Sequence, residues 1–181
     1  MRRVRYGVGM SLDACIADAE GGVGFLTMDR AYDPRPFFAA IDTMLMGRHT
    51  YEVALKMGAK GGGYPGLRSY VFSRTLRPED HPGVTISPDA VVTVTRLRRE
   101  PGDKDIWLCG GGALFASLIE ARLVDTVEVG ISPVLVGGGI PLAGSLPLPK
   151  PVKLALTHHE VLPSGMLVLS YDVRYGRRSR T

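Results

Sequence analysis

The sequence predicts an α/β domain whose sheet is mostly parallel, with helices on both faces and an antiparallel edge. Three observations carry this expectation. Strand-like and helix-like segments alternate as far as about residue 123, and beyond it apolar strand-like segments follow one another directly. The 23 glycines and 13 prolines are spread as punctuation between short apolar runs, with no low-complexity linker and no repeat. With 181 residues, 45% of them hydrophobic, the chain has the material for one sizeable core, which excludes a disordered protein. It reads as a single domain over residues 1–176 followed by a basic disordered tail at 177–181.

Val4 to Leu12 alternates small and apolar residues and reads as the first strand, leading into a loop that contains Gly21-Gly22. Asp33-Pro34 opens a helix over Phe37 to Ile41, because proline suits a first helical turn and aspartate a cap. Thr43 to Met46 is a short buried strand, and Gly47-Arg48-His49-Thr50 turns out of it into a helix through about Leu55. The glycine-rich stretch Gly58 to Gly66 reads as a surface loop. Ser69 to Phe72 and Val84 to Ile86 are further strands. Val91 to Arg99 is read as helix, since Ser87-Pro88-Asp89 is a start signal that outweighs the strand propensity of Val-Val-Thr-Val-Thr. Ile106 to Cys109 is a buried strand running into Gly110-Gly111-Gly112, and Ala113 to Ala121 is an amphipathic helix. Val124 to Ile131, Val152 to Val161 and Met166 to Tyr175 are strands, the last two joined as a hairpin through Pro163-Ser164-Gly165.

Composition removes several classes of function. The net charge is +4, but Arg2, Arg3, Arg5, Arg177, Arg178 and Arg180 sit at the two ends and leave 16 basic against 18 acidic residues in the body. A nearly neutral body is not a nucleic-acid surface. No apolar run has the length of a membrane span or signal peptide, and the two cysteines, Cys15 and Cys109, lie in apolar strand-like runs without metal-ligand spacing. A cytoplasmic protein with free core thiols and no metal is expected. His158-His159 does not change this, because neighbours on a strand point to opposite faces; one inward and one solvated histidine are expected. Trp107 is read as a core residue.

Three strand-to-helix or strand-to-loop junctions carry phosphate chemistry. At 106–121 a strand, three glycines and a helix let backbone approach an anion and offer it unpaired N–H groups. At Met46-Gly47-Arg48-His49-Thr50, Thr50 is expected to cap the helix and offer a hydroxyl, while Arg48 supplies a planar donor fork. Phe72-Ser73-Arg74-Thr75 places another hydroxyl and arginine at a strand end. Ligands of open α/β sheets gather at the carboxyl ends of strands, so the three together point to a phosphorylated nucleotide.

These segments, in their order and spacing, resemble the cofactor side of the dihydrofolate reductase superfamily. Ser11-Leu12-Asp13-Ala14-Cys15-Ile16-Ala17, Leu123-Val124-Asp125 and Pro133-Val134-Leu135-Val136-Gly137-Gly138-Gly139-Ile140-Pro141-Leu142 are similar in particular to the reductase domain of bacterial riboflavin biosynthesis. The resemblance spans roughly residues 4 to 175. It implies a three-layer dihydrofolate reductase-like fold with a mixed sheet of about eight strands and an antiparallel C-terminal hairpin. It implies NADPH as cofactor, with Arg48, Ser73 and Arg74 around the 2'-phosphate and adenosine. Thr50, Gly47 and the Gly110, Gly111, Gly112, Ala113 and Leu114 backbone would lie at the pyrophosphate, Gly9, Ile16 and Ala17 beside the nicotinamide, and Phe115 near the ring. On the substrate side it implies Asp13 and, second, Asp33 as catalytic residues, and it makes Gly137-Gly138-Gly139 a rim of the site. Cys109 stands where the riboflavin reductases have an acidic residue, and Gly130 where folate reductases have a threonine.

The activity implied is reduction of a small heterocycle of the 5-amino-6-(5-phosphoribosylamino)uracil type by NADPH. A dihydrofolate or pterin reductase and a non-catalytic NADPH sensor are the alternatives. A homodimer is expected, from the apolar surface of Val127, Val129 and Ile131 with Val134 to Val136 and from related pyrimidine reductases; the other partner is a small-molecule substrate.

Overall fold

The computed structural model describes residues 1–59, 63–144, 148 and 150–176; the tail at 177–181 and the centre of the glycine-rich loop, 60–62, lie outside the described residues. The chain runs β1 (Val4–Ser11), β2 (Cys15–Asp18), α1 (Arg35–Ala39), β3 (Ile41–Gly47), α2 (Arg48–Lys56), β4 (Arg68–Phe72), β5 (Thr85–Ser87), α3 (Ala90–Arg99), β6 (Asp105–Gly110), α4 (Gly112–Glu120), β7 (Thr126–Ser132), β8 (Gly139–Pro141), β9 (Lys153–Val161) and β10 (Leu167–Arg174). Eight strands form one sheet in the order β5-β4-β3-β6-β1-β7-β10-β9. Every neighbouring pair from β5 to β7 is parallel, and β10 runs antiparallel to both β7 and β9. The expected mixed sheet with an antiparallel C-terminal hairpin is what the chain forms.

Two differences from the sequence reading have local causes. Helix α1 begins two residues early, at Arg35, because Asp33 accepts from the Arg35 backbone N–H (3.0 Å) and turns the chain before Pro36. The segment after β1 is itself a strand: β2 pairs only with the three-residue β8, antiparallel, in a small second sheet. Gly139 permits this pairing, because a Cβ there would lie 2.3 Å from the Ala17 carbonyl oxygen.

The large sheet is apolar on both faces. One face carries Val4, Tyr6, Leu45, Ile106 and Leu108 and is covered by α3 and α4, which add Val94, Leu97, Leu114, Phe115 and Leu118. Met44, Met46 and Val71 face the other way, against Tyr51 of α2. This division follows from handedness. The connections β1-α1-β3 and β3-α2-β4 move toward β5, whereas β5-α3-β6 and β6-α4-β7 move back, so right-handed crossovers put the two pairs of helices on opposite faces.

The start of α3 shows how local chemistry overrides propensity. Asp89 accepts from the Val92 backbone N–H at 3.0 Å, and that cap commits the β-branched run Ala90–Arg99 to helix. Asp89→Ala should lower stability by about 1 kcal/mol, read as a shifted urea midpoint with an unchanged slope.

Of the apolar residues offered for association, Leu135 is exposed but two others are not. Val127 and Val129 are buried between β1 and β10 and belong to the core, so they supply no contact surface.

Candidate active site

The reversal of strand order falls between β3 and β6, whose chains leave their carboxyl ends in opposite directions, into α2 and α4. A crevice at such a switch point is where open α/β sheets bind ligands. Here it opens into a cavity of about 1260 Å³ that continues across β1, β7, β10 and β9. That exceeds the roughly 300–1,000 Å³ of a pocket for one small ligand and leaves room for two.

At the switch point two helix ends present N–H groups of the kind that suit an anion. Neither α2, with Gly47 at its N-cap, nor α4, with Gly111, has a side-chain cap, so the first N–H groups of both are without a capping acceptor. Thr50 is therefore not a cap; it is the third residue of α2 and its hydroxyl faces the glycines from the side. A Cβ on Gly110 or on Gly111 would lie 3.3 Å from Thr50 Oγ1, so the two glycines keep open the gap between the helix ends. The Gly110–Gly111 peptide is cis. Gly112 has a different duty: a Cβ there would meet the Pro141 carbonyl oxygen at 2.4 Å and the Gly144 nitrogen at 2.6 Å. It is the place where the loop after β8 closes onto α4.

Beyond the end of β4 the main cavity meets a smaller one of about 330 Å³, lined by Arg48, Ser73, Arg74 and Thr75 and sharing Arg48 and Arg74 with it. Arg48 donates to Thr75 Oγ1 (3.2 Å) and lies 3.6 Å from Glu52; Arg74 has no ion-pair partner among the described residues. Ser73 Oγ accepts from the backbone N–H groups of Thr75 and Leu76, both at 3.1 Å, which shapes the turn that carries Arg74. The structure thus brings Arg48, Ser73 and Arg74 into one pocket, and Gly47, Thr50, Gly110, Gly111, Gly112, Ala113 and Leu114 to the lining of the main cavity that adjoins it.

The opposite half has a floor of glycines. Gly7 and Gly9 on β1 and Gly130 on β7 lie below the Phe37, Leu26 and Met166 side chains, which fill the space a Cβ would take. Trp107, expected in the core, is half-buried on the cavity wall; its Nε1 donates to the Gly7 carbonyl (2.8 Å) and its ring meets Phe37 and Phe38 edge-on. Ile16 and Ala17 of β2 line the same space, as does Gly9. Cys109 also faces it, and burial pushes its thiol up to about 12, so it stands as a thiol at neutral pH.

Of the two carboxylates singled out, Asp33 lines the cavity and Asp13 does not. Asp33 holds the Arg35 guanidinium at 2.8 and 2.9 Å, and that hydrogen-bonded arginine keeps its carboxyl below the usual range. Asp13 accepts from the Val136 and Gly137 backbone N–H groups at 3.1 and 2.8 Å, which ties β2's approach to the loop entering β8. The Ser11 hydroxyl, then the Gly137 and Val136 N–H groups, hold its carboxyl down at about 2. The Gly137 amide should consequently show a chemical-shift titration with a midpoint near pH 2, below an ordinary aspartate's, and lose it in Asp13→Asn. The tether is intact above the unfolded value near 4 and is released as pH falls through the folded one.

Phe115 is a correction of another kind. It is 4% exposed and stacked on Tyr6 (centroids 4.1 Å apart, 15° between planes), on the α3–α4 side of the sheet, so it belongs to the core and not to the cavity wall.

Residues with no motif complete the site. Arg5 forks onto Glu128 with two contacts of 2.7 Å and lies 4.7 Å above the Phe37 ring; Tyr32 stands beside them and Glu160 of β9 faces the same space. His158 lines the cavity and His159 does not, as expected of strand neighbours on opposite faces, although the inward one is exposed as well. The register explains which one faces in: Ser170 pairs with His158 but Tyr171 with Leu156, leaving Thr157 as an unpaired bulge residue whose hydroxyl donates to the Ser170 carbonyl (3.0 Å). Among the described residues no cluster of His, Cys, Asp or Glu could hold a metal ion, and no helix is long and apolar enough to cross a membrane.

Comparison with known proteins agrees with this architecture. The chain is 29% identical over 180 residues to the uncharacterized protein YyaP of Bacillus subtilis (strain 168), covering 94% of each. A solved structure of a protein assigned to riboflavin biosynthesis, from Shewanella sp. PV-4, superposes with a TM-score of 0.79 at 22% identity and covers 97% of this chain and 100% of that one. The diaminohydroxyphosphoribosylaminopyrimidine deaminase/5-amino-6-(5-phosphoribosylamino)uracil reductase of Thermotoga maritima superposes at 0.69 with 17% identity, over 96% of this chain and 57% of that longer one. The family model described as RibD C-terminal domain matches residues 2–168, nearly the whole length over which the sheet and its cavity are built, and the chain is a member of that family.

Proposed function

We propose that this protein is an NADPH-dependent reductase of a small amino-substituted heterocycle. The observation that carries the reading is the pair of uncapped helix ends at one switch point, with Arg48 and Arg74 beyond them and a separate, glycine-floored space on the other side. The residues present suit the cofactor. The open gap over Gly110 and Gly111 suits a pyrophosphate against the α2 and α4 N–H groups, the arginine pocket suits a 2'-phosphate, and the wall of Gly9, Ile16 and Ala17 suits a flat ring. NADPH, when bound, supplies a hydride to a substrate carbon.

The chain's own groups then bind and orient. Asp33 is ionised at neutral pH like any ordinary aspartate, and Arg35 holds its carboxyl lower still, so its part is to accept from a substrate N–H rather than to donate a proton. Asp13 acts as a positioning residue: by tethering Val136 and Gly137 it sets the segment that continues into β8, and through β8 the Ile16 and Ala17 wall. We also infer a homodimer, now on β9, where Leu154, Leu156 and Val161 stand exposed; a monomer mass by light scattering at micromolar concentration would reject it.

The test is calorimetric titration with NADPH and NADH followed by an NADPH-oxidation screen over aminopyrimidines, pterins and dihydrofolate. Tighter NADPH binding and turnover of an aminopyrimidine or pterin are expected. Equal affinity for the two cofactors would overturn the cofactor assignment, and binding without any turnover would favour a sensor.

A further inference from the structure

The charges lining the cavity are segregated along it. At the β3–β4 end they are Arg48 and Arg74. At the other end they are Asp33, Glu128 and Glu160, with Arg5 as the one arginine and His158 two residues before Glu160 on β9. From β4 to β9 the sheet steps across six strand spacings, about 29 Å, so these are two distinct environments within one space.

The cation at the far end is not available to a ligand anion. Arg5 is committed to Glu128 through both nitrogens of its fork, with Asp105 at 3.7 Å behind it, and Glu128 is further held by the Thr126 hydroxyl at 2.9 Å. Arg35, at the rim, is likewise committed to Asp33. Glu160 has neither an ion-pair nor a hydrogen-bond partner among the described residues. What this end offers a ligand is the unpartnered Glu160 carboxylate, the acceptor capacity that Glu128 and Asp33 keep beside their arginines, the His158 ring, the aromatic surface of Phe37 and Trp107, and no uncommitted arginine.

We infer, resting on the cofactor reading above, that the second ligand is an amine-bearing heterocycle without a phosphate. Its ring lies by Phe37 and Trp107, and its N–H donors are taken by Glu160 and by the acceptor capacity that Glu128 keeps free. A phosphate monoester would be placed against the unpartnered Glu160 carboxylate and beside two ion pairs whose arginines are already committed, and like charges so juxtaposed select against a ligand. Flat rings on aromatic walls and donors facing carboxylates select for this one. The chain therefore shares its fold with a phosphoribosylaminouracil reductase while being fitted to a dephosphorylated relative of such a compound.

The test uses the whole chain, first titrated with NADPH by calorimetry and then, in its NADPH- or NADP-loaded form, with one 5-amino-6-glycosylaminouracil prepared with and without its 5'-phosphate. The unphosphorylated form should bind at least about tenfold more tightly. In Glu160→Gln that ratio should shrink from both sides, the unphosphorylated form weakening and the phosphorylated form tightening, which a change of fold alone would not produce. Equal or tighter binding of the phosphorylated form would overturn the inference, and so would failure of the loaded protein to bind either form. Absence of NADPH binding in the first titration would instead overturn the cofactor reading on which the inference rests.

Discussion

Arg74→Ala is expected to weaken NADPH binding by about 1.5–3 kcal/mol, ten- to more than a hundredfold, and to leave NADH binding nearly unchanged. The expectation rests on where the two arginines of the small pocket spend their charge. Arg48 is shared among Thr75, His49 and Glu52, whereas Arg74 has no ion-pair partner among the described residues and lines both the small pocket and the main cavity. A doubly charged phosphate ester, present in NADPH and absent from NADH, is what such a group would gain from. Calorimetric titration of both cofactors against both proteins measures it as a ratio. If the two affinities fall together, the arginine acts through the turn at Ser73 and not by reading the phosphate.

Two neighbouring glycines should separate stability from binding. Gly112→Ala places a methyl group against backbone atoms, the Pro141 carbonyl oxygen at 2.4 Å and the Gly144 nitrogen at 2.6 Å, and backbone cannot swing aside as a side chain can. Overpacking of this kind costs about 1–3 kcal/mol and should appear as a lowered unfolding midpoint. Gly111→Ala is different. Its φ of −95° suits any residue, and the nearest atom to its new methyl is the Thr50 hydroxyl at 3.3 Å, which can give way by rotation. The protein should therefore stay folded with a near-wild-type melt, yet bind NADPH at least about tenfold more weakly, because the methyl occupies the gap between the two helix ends. A Gly111→Ala protein that binds NADPH normally would show that the pyrophosphate lies elsewhere.

How much of this was legible beforehand depended on the range of the chemistry. The start of α3 could be read because Asp89 and the helix it caps are neighbours in sequence. The grouping of Arg48, Thr50, Arg74 and the three glycines at one end of the cavity could be read for the same reason: they lie at or just past strand ends, and a strand's carboxyl end is a known address. The β2–β8 pair could not, since strands of four and three residues exist only because each finds the other across more than a hundred positions. The far end of the cavity was hidden likewise. Arg5 and Glu128 form no motif, and only the parallel register of β1 with β7 brings them together. Gly130 looked like a missing threonine until Met166 was found lying across it. Val127 and Val129 are core residues that the pattern alone does not separate from surface ones, because alternating valines look alike whether they meet a partner chain or the protein's own core.

The unpaired Thr157 gives the edge strand a tolerance for changes in chain length. A relative lacking one residue at this point would run an uninterrupted ladder from Leu156 to His158, and the two side chains that overlook the cavity, His158 and Glu160, would keep their aim. A gap here in an alignment would not signal a lost binding surface. The same single-residue gap at His159 would instead set His158 and Glu160 on opposite faces of the sheet, so where the alignment breaks carries more information than how many residues differ.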